Sequence, residues 1–553
     1  MQLPAQAIDA ILVTGASGSG KTTTLLTRVR DVLASGTAPE DILVVCASEA
    51  HAAEVARELP CVQVLSPQAL SCSVLAALRE CPAEGAPFAS VERQVSAPRV
   101  FKPHEERILL EDLRACGLPR KQLQSIFSYL RACTAALADD GDWIQMKEER
   151  LVLDALEAAC AFTGGMLAEQ VPNAAVKAFL ADPAAASKRV AISHVFVDDY
   201  GLLSRATQVL VNLIASSCIT VTGEHGFCAE AEDRFPHPAG LEEFPSLHEH
   251  TEYVQLPDSG EVRALLKTEQ IRTQNVQEEL SGIVSLVKER LAGGVRPSDI
   301  AVVGQNGPWR SHMKRALTDA GIAVTGARQG LRMGDFTDEA GMVEVLSDAL
   351  AGLERNPRDG VCVRTLLAYG DYLAGSVEVA KLRRDNPGRT LADLYGEDCE
   401  TIRSAIARAR RATAERTGEA GSRQAHARGP FDAALSTDGA AEAVPEDGVF
   451  LGAAEDLVLR HFDTVIFGGY LAGWIPGQAY FDALGDRRAR LLDEARLDLD
   501  LAYRAARHQF IHSSFEYCPL ELAERLGLRF DGIKLVRGRR ICRTIPASEI
   551  LGN

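Results

Sequence analysis

The chain has 553 residues, more than one hydrophobic core ordinarily organises, so two to four domains are expected. Hydrophobic residues make up 46% and charged residues 24%, a globular composition with little room for long disorder. The net charge of −17 argues against a general, charge-driven nucleic-acid coat while leaving a local basic channel open. No apolar run approaches the roughly 20 residues that span a bilayer, and the start lacks a basic stretch followed by a long apolar one, so a cytoplasmic chain without membrane contact is expected. The 13 cysteines never fall in a C-x-x-C pair, which excludes zinc-ribbon and clustered iron–sulfur signatures and leaves scattered reduced thiols.

In chain order, a short apolar strand at Ile11 to Val13 runs into a Gly-rich turn. A helix follows with Leu25, Leu26, Val29, Val32 and Leu33 on one stripe and Gly36 as its cap. A second strand at Ile42 to Cys46 is apolar throughout, the pattern of a parallel strand covered on both faces, and it makes the opening an α/β domain. Strands of the same kind are expected at His194 to Val197, Ile219 to Val221, Ile300 to Val303, Thr464 to Phe467 and Gln509 to His512, in two groups. Between them, residues 95–190 read as helices, with LLEDLRACGL, SIFSYLRACTAALA and LVLDALEAACAF at 3.6-residue spacing. Residues 330–445 also read as helical, ending in a tail with Arg403, Arg408, Arg410, Arg411, Arg416, Arg423 and Arg428 against Glu415 and Glu419. A solvated helix and a nucleic-acid surface both fit that tail.

GASGSGKT fits G-x-x-x-x-G-K-[ST], after a strand and before a helix as the chemistry demands. Gly15, Ala16, Ser17, Gly18, Ser19 and Gly20 turn backbone N–H groups onto phosphates, with Thr23 on the helix behind them. Lys21 neutralises the β and γ charges, and the Thr22 hydroxyl ligates Mg²⁺. ATP with Mg²⁺ is the expected ligand. Such a site also needs an acid at the end of a neighbouring strand, and HVFVDDY supplies Asp198 for magnesium and Asp199 as the base that orients the attacking water.

Four segments together resemble the UvrD/Rep type of superfamily 1 DNA helicases. ILVTGASGSGKTTTLLTRVRDVL and APEDILVVCASEAHAAEVAREL follow the layout of that family's P-loop and its VTFTNKAAAEM motif, with Glu54 on the acidic slot. HVFVDDYGLLSRATQVLVNLIASSCITVTGE follows HILVDEFQDTN, its helix and the strand ending VGD. VQEELSGIVSLVKERLAGGVRPSDIAVVGQNGPWRSHMKRALTDAGIAV looks like the start of the second motor domain. FDTVIFGGYLAGWIP and LLDEARLDLDLAYRAARHQFIHS resemble FxxVFxxGLxEGxxP and EERRLxYVxxTRAxxxLxL. The resemblance implies two RecA-like P-loop motor domains, each interrupted by a mainly helical insertion. ATP would lie between them, single-stranded DNA across their top, and Arg504 would be an arginine finger.

On that layout residues 1–94 and 191–255 form the first motor domain around an insertion at 95–190. Residues 256–329 and 446–553 form the second around an insertion at 330–445. The implied activity is a 3′ to 5′ DNA helicase or translocase in repair or recombination. The alternative is a catalytically weakened ATP-binding subunit beside a nuclease or repair factor. A small-molecule kinase fits less well, because its acids usually lie nearer the loop.

Several motifs depart from the family. VDEFQD becomes VDDYGLL, placing Asp199 and Gly201 where Glu and Gln are expected. GDxxQSIYxFRGA becomes GEHGFCAEAEDRF, with Glu224 in the Asp slot and neither the glutamine nor the stacking aromatic. NYRS has no clear counterpart unless Arg263 substitutes, and GAAEDLVLRHF retains Phe462 without the Lys-Gly pair. Trp143, Trp309 and Trp474 are few for a base-stacking channel, which gains about 1–3 kcal/mol per stacked base. The basic KLVRGRRICR near the C-terminus and the pair His225 and His237 carry no assigned role.

Overall fold

The apolar runs Ile42–Cys46 and Ile300–Val303 are buried along their whole length, and each is an inner strand of an all-parallel six-stranded sheet. The molecule is described by a computed structural model covering residues 6–79, 98–256, 267–273, 275–305, 307–326, 339–368, 372–397, 399–419, 448–470 and 485–515. The strands are β1 (Gln6–Thr14), β2 (Ile42–Cys46), β3 (Gln63–Leu65), β4 (Arg99–Val100), β5 (Gly165–Met166), β6 (Ile192–Asp198), β7 (Ala215–Gly223), β8 (His248–Gln255), β9 (Lys267–Thr273), β10 (Ile300–Val303), β11 (Val324–Gly326), β12 (Val449–Gly452), β13 (Phe462–Tyr470) and β14 (Ala506–Phe515). The first sheet has the order β3-β2-β6-β7-β1-β8 and the second β11-β12-β10-β13-β14-β9, while β4 and β5 form a small ladder of their own. The fold is therefore α/β with parallel sheets, and every strand expected from the sequence lies within one of these.

Both sheets are flanked by helices, as parallel crossovers require. Four matter below: α1 (Lys21–Ala34), α2 (Glu49–Glu58), α3 (Arg205–Ile214) and α4 (Gly485–Arg504). One apolar cluster runs from Leu43, Val195 and Val221 of the first sheet through Phe450, Leu457 and Phe462 to Tyr503 and Phe510 of the second. Burial thus joins the sheets across their facing ends.

The helical region after β3 is divided between two cores. Helices Pro103–Leu113, Arg120–Ala135 and Lys147–Thr163 gather around Trp143, Leu123 and Leu156. The following helices Gln170–Ala181 and Pro183–Val190 bury Val171, Val176, Phe179 and Val190 in the first sheet's cluster instead.

The second helical region does not stand apart from the first. Val361 packs beside Phe101 and Leu109, and Phe162 packs beside Leu346 and Leu366. Arg364 holds Asp112 with two hydrogen bonds of 2.8 and 2.6 Å, Arg99 reaches Asp359 at 2.8 Å, and Lys102 reaches Asp348 at 2.7 Å. Both partners of the Arg364–Asp112 pair are nearly buried, so losing either would strand a charge away from water.

No helix among the described residues is long and apolar enough to cross a membrane. Trp143 and Trp309 are both core residues. Trp474, Arg263, Arg423, Arg428 and the basic segment at 534–543 lie outside the described residues, whereas Arg403, Arg410 and Arg411 stand exposed on helix Glu400–Glu419.

Candidate functional site

Residues Gly15 to Thr22 leave the C-terminal end of β1 and enter α1. Gly20 caps the helix with φ of 93°, a left-handed backbone that a side chain would strain. Gly15 is needed for space, because a Cβ there would press on Ser19 Oγ and Leu256. The loop therefore closes tightly and aims the positive end of α1 at whatever lies in it. Ser19 Oγ is buried in this loop without a hydrogen-bond partner, the kind of orphan that an anion's oxygens satisfy.

Lys21, 9% exposed, turns back over the loop: its Nζ donates to Gly15 O at 2.9 Å and Ala16 O at 3.0 Å, and lies 3.9 Å from Glu224 Oε2. Thr23 is exposed on the outer side of α1. With Ser19, Gly20, Thr24, Thr27, Arg28 and Asp31 it lines an open trough of about 660 Å³. Ala16, Ser17 and Gly18 form the turn itself.

Asp198 ends β6 and is 1% exposed. Its Oδ2 accepts from Thr22 Oγ1 at 2.7 Å and from His51 Nε2 at 2.9 Å, and its Oδ1 accepts from Thr222 Oγ1 at 2.5 Å. The neighbouring-strand expectation is corrected in one respect. β6 does not pair with β1, because β7 lies between them, and Thr22 reaches Asp198 from the first turn of α1. Burial works to raise the Asp198 pKa, but His51 and the two threonine hydroxyls outweigh it and hold the carboxyl below its ordinary value. Burial works against the His51 charge too, and Asp198 overcomes it, raising His51 to about 8.

Asp199 sits at φ 55° and ψ 51°, an unusual left-handed conformation for a side chain with a Cβ, and its N–H donates to Thr222 Oγ1 at 3.0 Å. Burial and the adjacent Asp198 charge push its carboxyl up to about 6, against the pull of Lys21 and His51.

Arg504 closes the site from the other sheet. It is the last residue of α4, and its Nη1 donates to Glu224 Oε2 at 2.7 Å while its Nε donates to Asp500 Oδ2 at 2.5 Å. Its guanidinium carbon lies over the Phe227 ring, 4.4 Å from the centroid. The structure thus brings Lys21, Thr22, Asp198, Asp199 and Arg504 to one place, from two sheets.

No protein-family model matches the chain, and no curated protein matches it. The chemistry at the loop therefore rests on the residues themselves. Thr22 and Asp198 offer hard oxygen donors, and no cluster of three or more His, Cys, Asp or Glu among the described residues could hold a metal unaided. That donor set suits Mg²⁺, which keeps waters and takes the rest of its shell from phosphates.

Four contributors were not visible in the sequence. His51 on α2 and Thr222 on β7 both grip Asp198, yet His51 occupies an alanine slot of the motif that α2 resembles, so the resemblance points away from it. Phe227 supplies an aromatic, turned to Arg504. Gln208 on α3 donates to the carbonyls of Tyr200 at 2.9 Å, Leu203 at 3.3 Å and His237 at 2.8 Å, tying the loop after β7 to the loop after β6. His225 is exposed, and His237 lies 3.4 Å from Glu243.

Proposed function

We propose that this chain is an ATP-dependent DNA helicase or translocase of the UvrD/Rep type, with two RecA-like motor domains built on the two parallel sheets. The observation that carries the proposal is Arg504, an arginine from the second sheet's helix held at the mouth of the first sheet's P-loop. A γ-phosphate bound there would be reached from both sheets at once, which is how hydrolysis is coupled to movement between two bodies.

In this reading Gly15 to Thr23 cradle the triphosphate and Lys21 meets its β- and γ-oxygens. Thr22 and Asp198 hold Mg²⁺, whose contribution when bound is to neutralise charge on those oxygens. Asp199 orients the attacking water and takes its proton; with a pKa of about 6 it is mostly ionised at neutral pH. Arg504 stabilises the charge that develops on the γ-phosphate. Single-stranded DNA crosses the top of the two sheets, 3′ to 5′ by resemblance, in repair or recombination.

A second reading is a weakened ATP-binding subunit that partners a nuclease or repair factor. It is favoured by the contacts of Glu224 with both Lys21 and Arg504, which engage the cations that hydrolysis would use. Steady-state ATPase activity with and without single-stranded DNA separates the two. The helicase reading expects stimulation of several-fold or more and its loss in Lys21→Ala. ATP binding without stimulation would move the assignment to the second reading, and unchanged nucleotide affinity in Lys21→Ala would overturn both.

A further inference from the structure

We infer that Glu224 is a built-in competitor for the γ-phosphate, so that the site closed on this carboxylate accepts a nucleoside diphosphate and admits a triphosphate only when Glu224 withdraws. The inference rests on the nucleotide-site reading and deepens it by naming what sets the preference between the two ligands.

The geometry comes from one turn. Glu224 follows β7 directly, and Phe227 N donates to Glu224 O at 3.4 Å, folding the two side chains to the same side. Together they grip Arg504 in two ways, the carboxylate through Nη1 at 2.7 Å and the ring, over whose face the guanidinium carbon lies, at 4.4 Å. Asp500 accepts from Nε at 2.5 Å. Two carboxylates and a ring thus hold the guanidinium, and an anion drawing it toward the loop must compete with Glu224 for it.

Lys21 is committed in the same way. An ammonium has three N–H donors, and two of them go to Gly15 O and Ala16 O at 2.9 and 3.0 Å. Glu224 Oε2, the same oxygen that Arg504 engages, lies 3.9 Å from this Nζ. One carboxylate oxygen therefore stands between the loop lysine and the arginine of the facing sheet, the position in which a terminal phosphate would need to sit to meet both.

An anion entering there meets a like charge. A diphosphate ends before that point and has no group to place on Glu224, whereas a triphosphate must displace a carboxylate from two cations to make the same contacts. Each charge-assisted hydrogen bond so exchanged amounts to roughly 10- to 100-fold in affinity. The carboxylate also ties the arginine of the second sheet to the loop of the first without a nucleotide between them.

The test is direct binding of ADP and of a non-hydrolysable ATP analogue, with Mg²⁺, to the full chain and to Glu224→Gln. Glutamine keeps the size of the side chain and removes its charge. The expected result is a rise of roughly 10-fold or more in affinity for the analogue, with ADP affinity changing less than about 3-fold. A parallel change for both ligands, or a loss for the analogue, would overturn the inference while leaving nucleotide binding intact. Binding of neither ligand by the parent chain and by the folded variant would overturn the nucleotide reading itself, and the inference with it. Glu224→Asp, which keeps the charge and shortens its reach, guards against a folding artefact: its analogue-to-ADP ratio should fall between parent and Gln variant, and a ratio above that of the Gln variant would count against the proposal.

Discussion

The ends of the two sheets that face each other are used in opposite ways. After β1 and β6 the first sheet opens into a tight glycine loop, a buried acid and a strained Asp199, with Lys21, Thr22 and His51 converging on them. After β10 and β13 the second sheet is plugged instead: the Trp309 indole fills the space that a Cβ at Gly304 or Gly468 would claim. Glu279, fully buried beneath it, accepts from Trp309 Nε1 at 2.9 Å, Ser513 Oγ at 2.9 Å and Gly469 N at 3.1 Å. One sheet gathers polar and charged groups at its strand ends and the other packs an indole there, while Arg504 reaches across from α4 to Glu224. Substitutions on the first side should therefore change turnover at little cost in stability, and those on the second side the reverse.

The sharpest break would come from Arg504→Ala. ATP hydrolysis should fall on the order of 10³-fold or more, with a smaller loss in the midpoint of urea unfolding, because the Arg504–Glu224 pair is only partly exposed and removing the cation leaves two carboxylates without it. A large stability loss with unchanged hydrolysis would reverse the division. Trp309→Ala is the mirror image. Removing an indole that is 1% exposed should cost about 3–5 kcal/mol by chemical denaturation, with nucleotide affinity of the folded fraction preserved.

Glu279 gives a smaller, pH-dependent effect. Burial pushes its carboxyl up to about 7, against the three donors that pull it down. The folded pKa lies above the unfolded one, so the folded state holds an extra proton between about pH 5 and 7. Stability from this group is greatest at the acid end and declines as pH rises through that window. Glu279→Gln should flatten that decline and lower stability by about 1–3 kcal/mol, since a glutamine N–H meets a donor where the carboxylate accepted. Part of the slope should survive, because burial also raises Glu232, in the loop after β7, to about 7. Unfolding followed at pH 5, 6 and 7 measures both parts.

The smallest effect expected is at Asp199. Relieving its left-handed backbone with glycine should stabilise the fold by about 1 kcal/mol while reducing hydrolysis. Thermal melting beside an ATPase rate reads both, and destabilisation would mean that the carboxylate contributes more to the fold than the backbone costs.

What the sequence disclosed follows from how each feature is built. Inner strands such as Val195–Val197 and Val465–Phe467 are legible because both faces are buried and every residue is apolar. The edge strand β8, HEHTEYVQ, mixes polar residues with few buried ones. β9, KTEQIRT, is an edge strand of similar composition, and neither reads as a strand by composition. The glycine loop from Gly15 to Gly20 is legible because its residues are contiguous. Arg504 is legible only through the resemblance, since nothing local distinguishes it from the other arginines of α4. His51 lies 147 residues from Asp198, and Arg364 lies 252 from Asp112, so neither partnership leaves a trace in spacing.

That last separation also bears on how the protein can be made. The first sheet has all its strands once the chain reaches Gln255. The helical body waits longer: residues near Asp112 emerge early and remain without their partners until those near Arg364 and Ala409 have been synthesised. The second sheet waits longest, because β9 borders β14, which is the last described strand to leave the ribosome. About half-way through synthesis the nascent chain therefore carries the glycine loop with its first-sheet partners beside an unfilled helical surface and a lone polar strand, β9. A translation pause or a chaperone acting at that point would meet a protein already shaped at its loop and still open at its partner face.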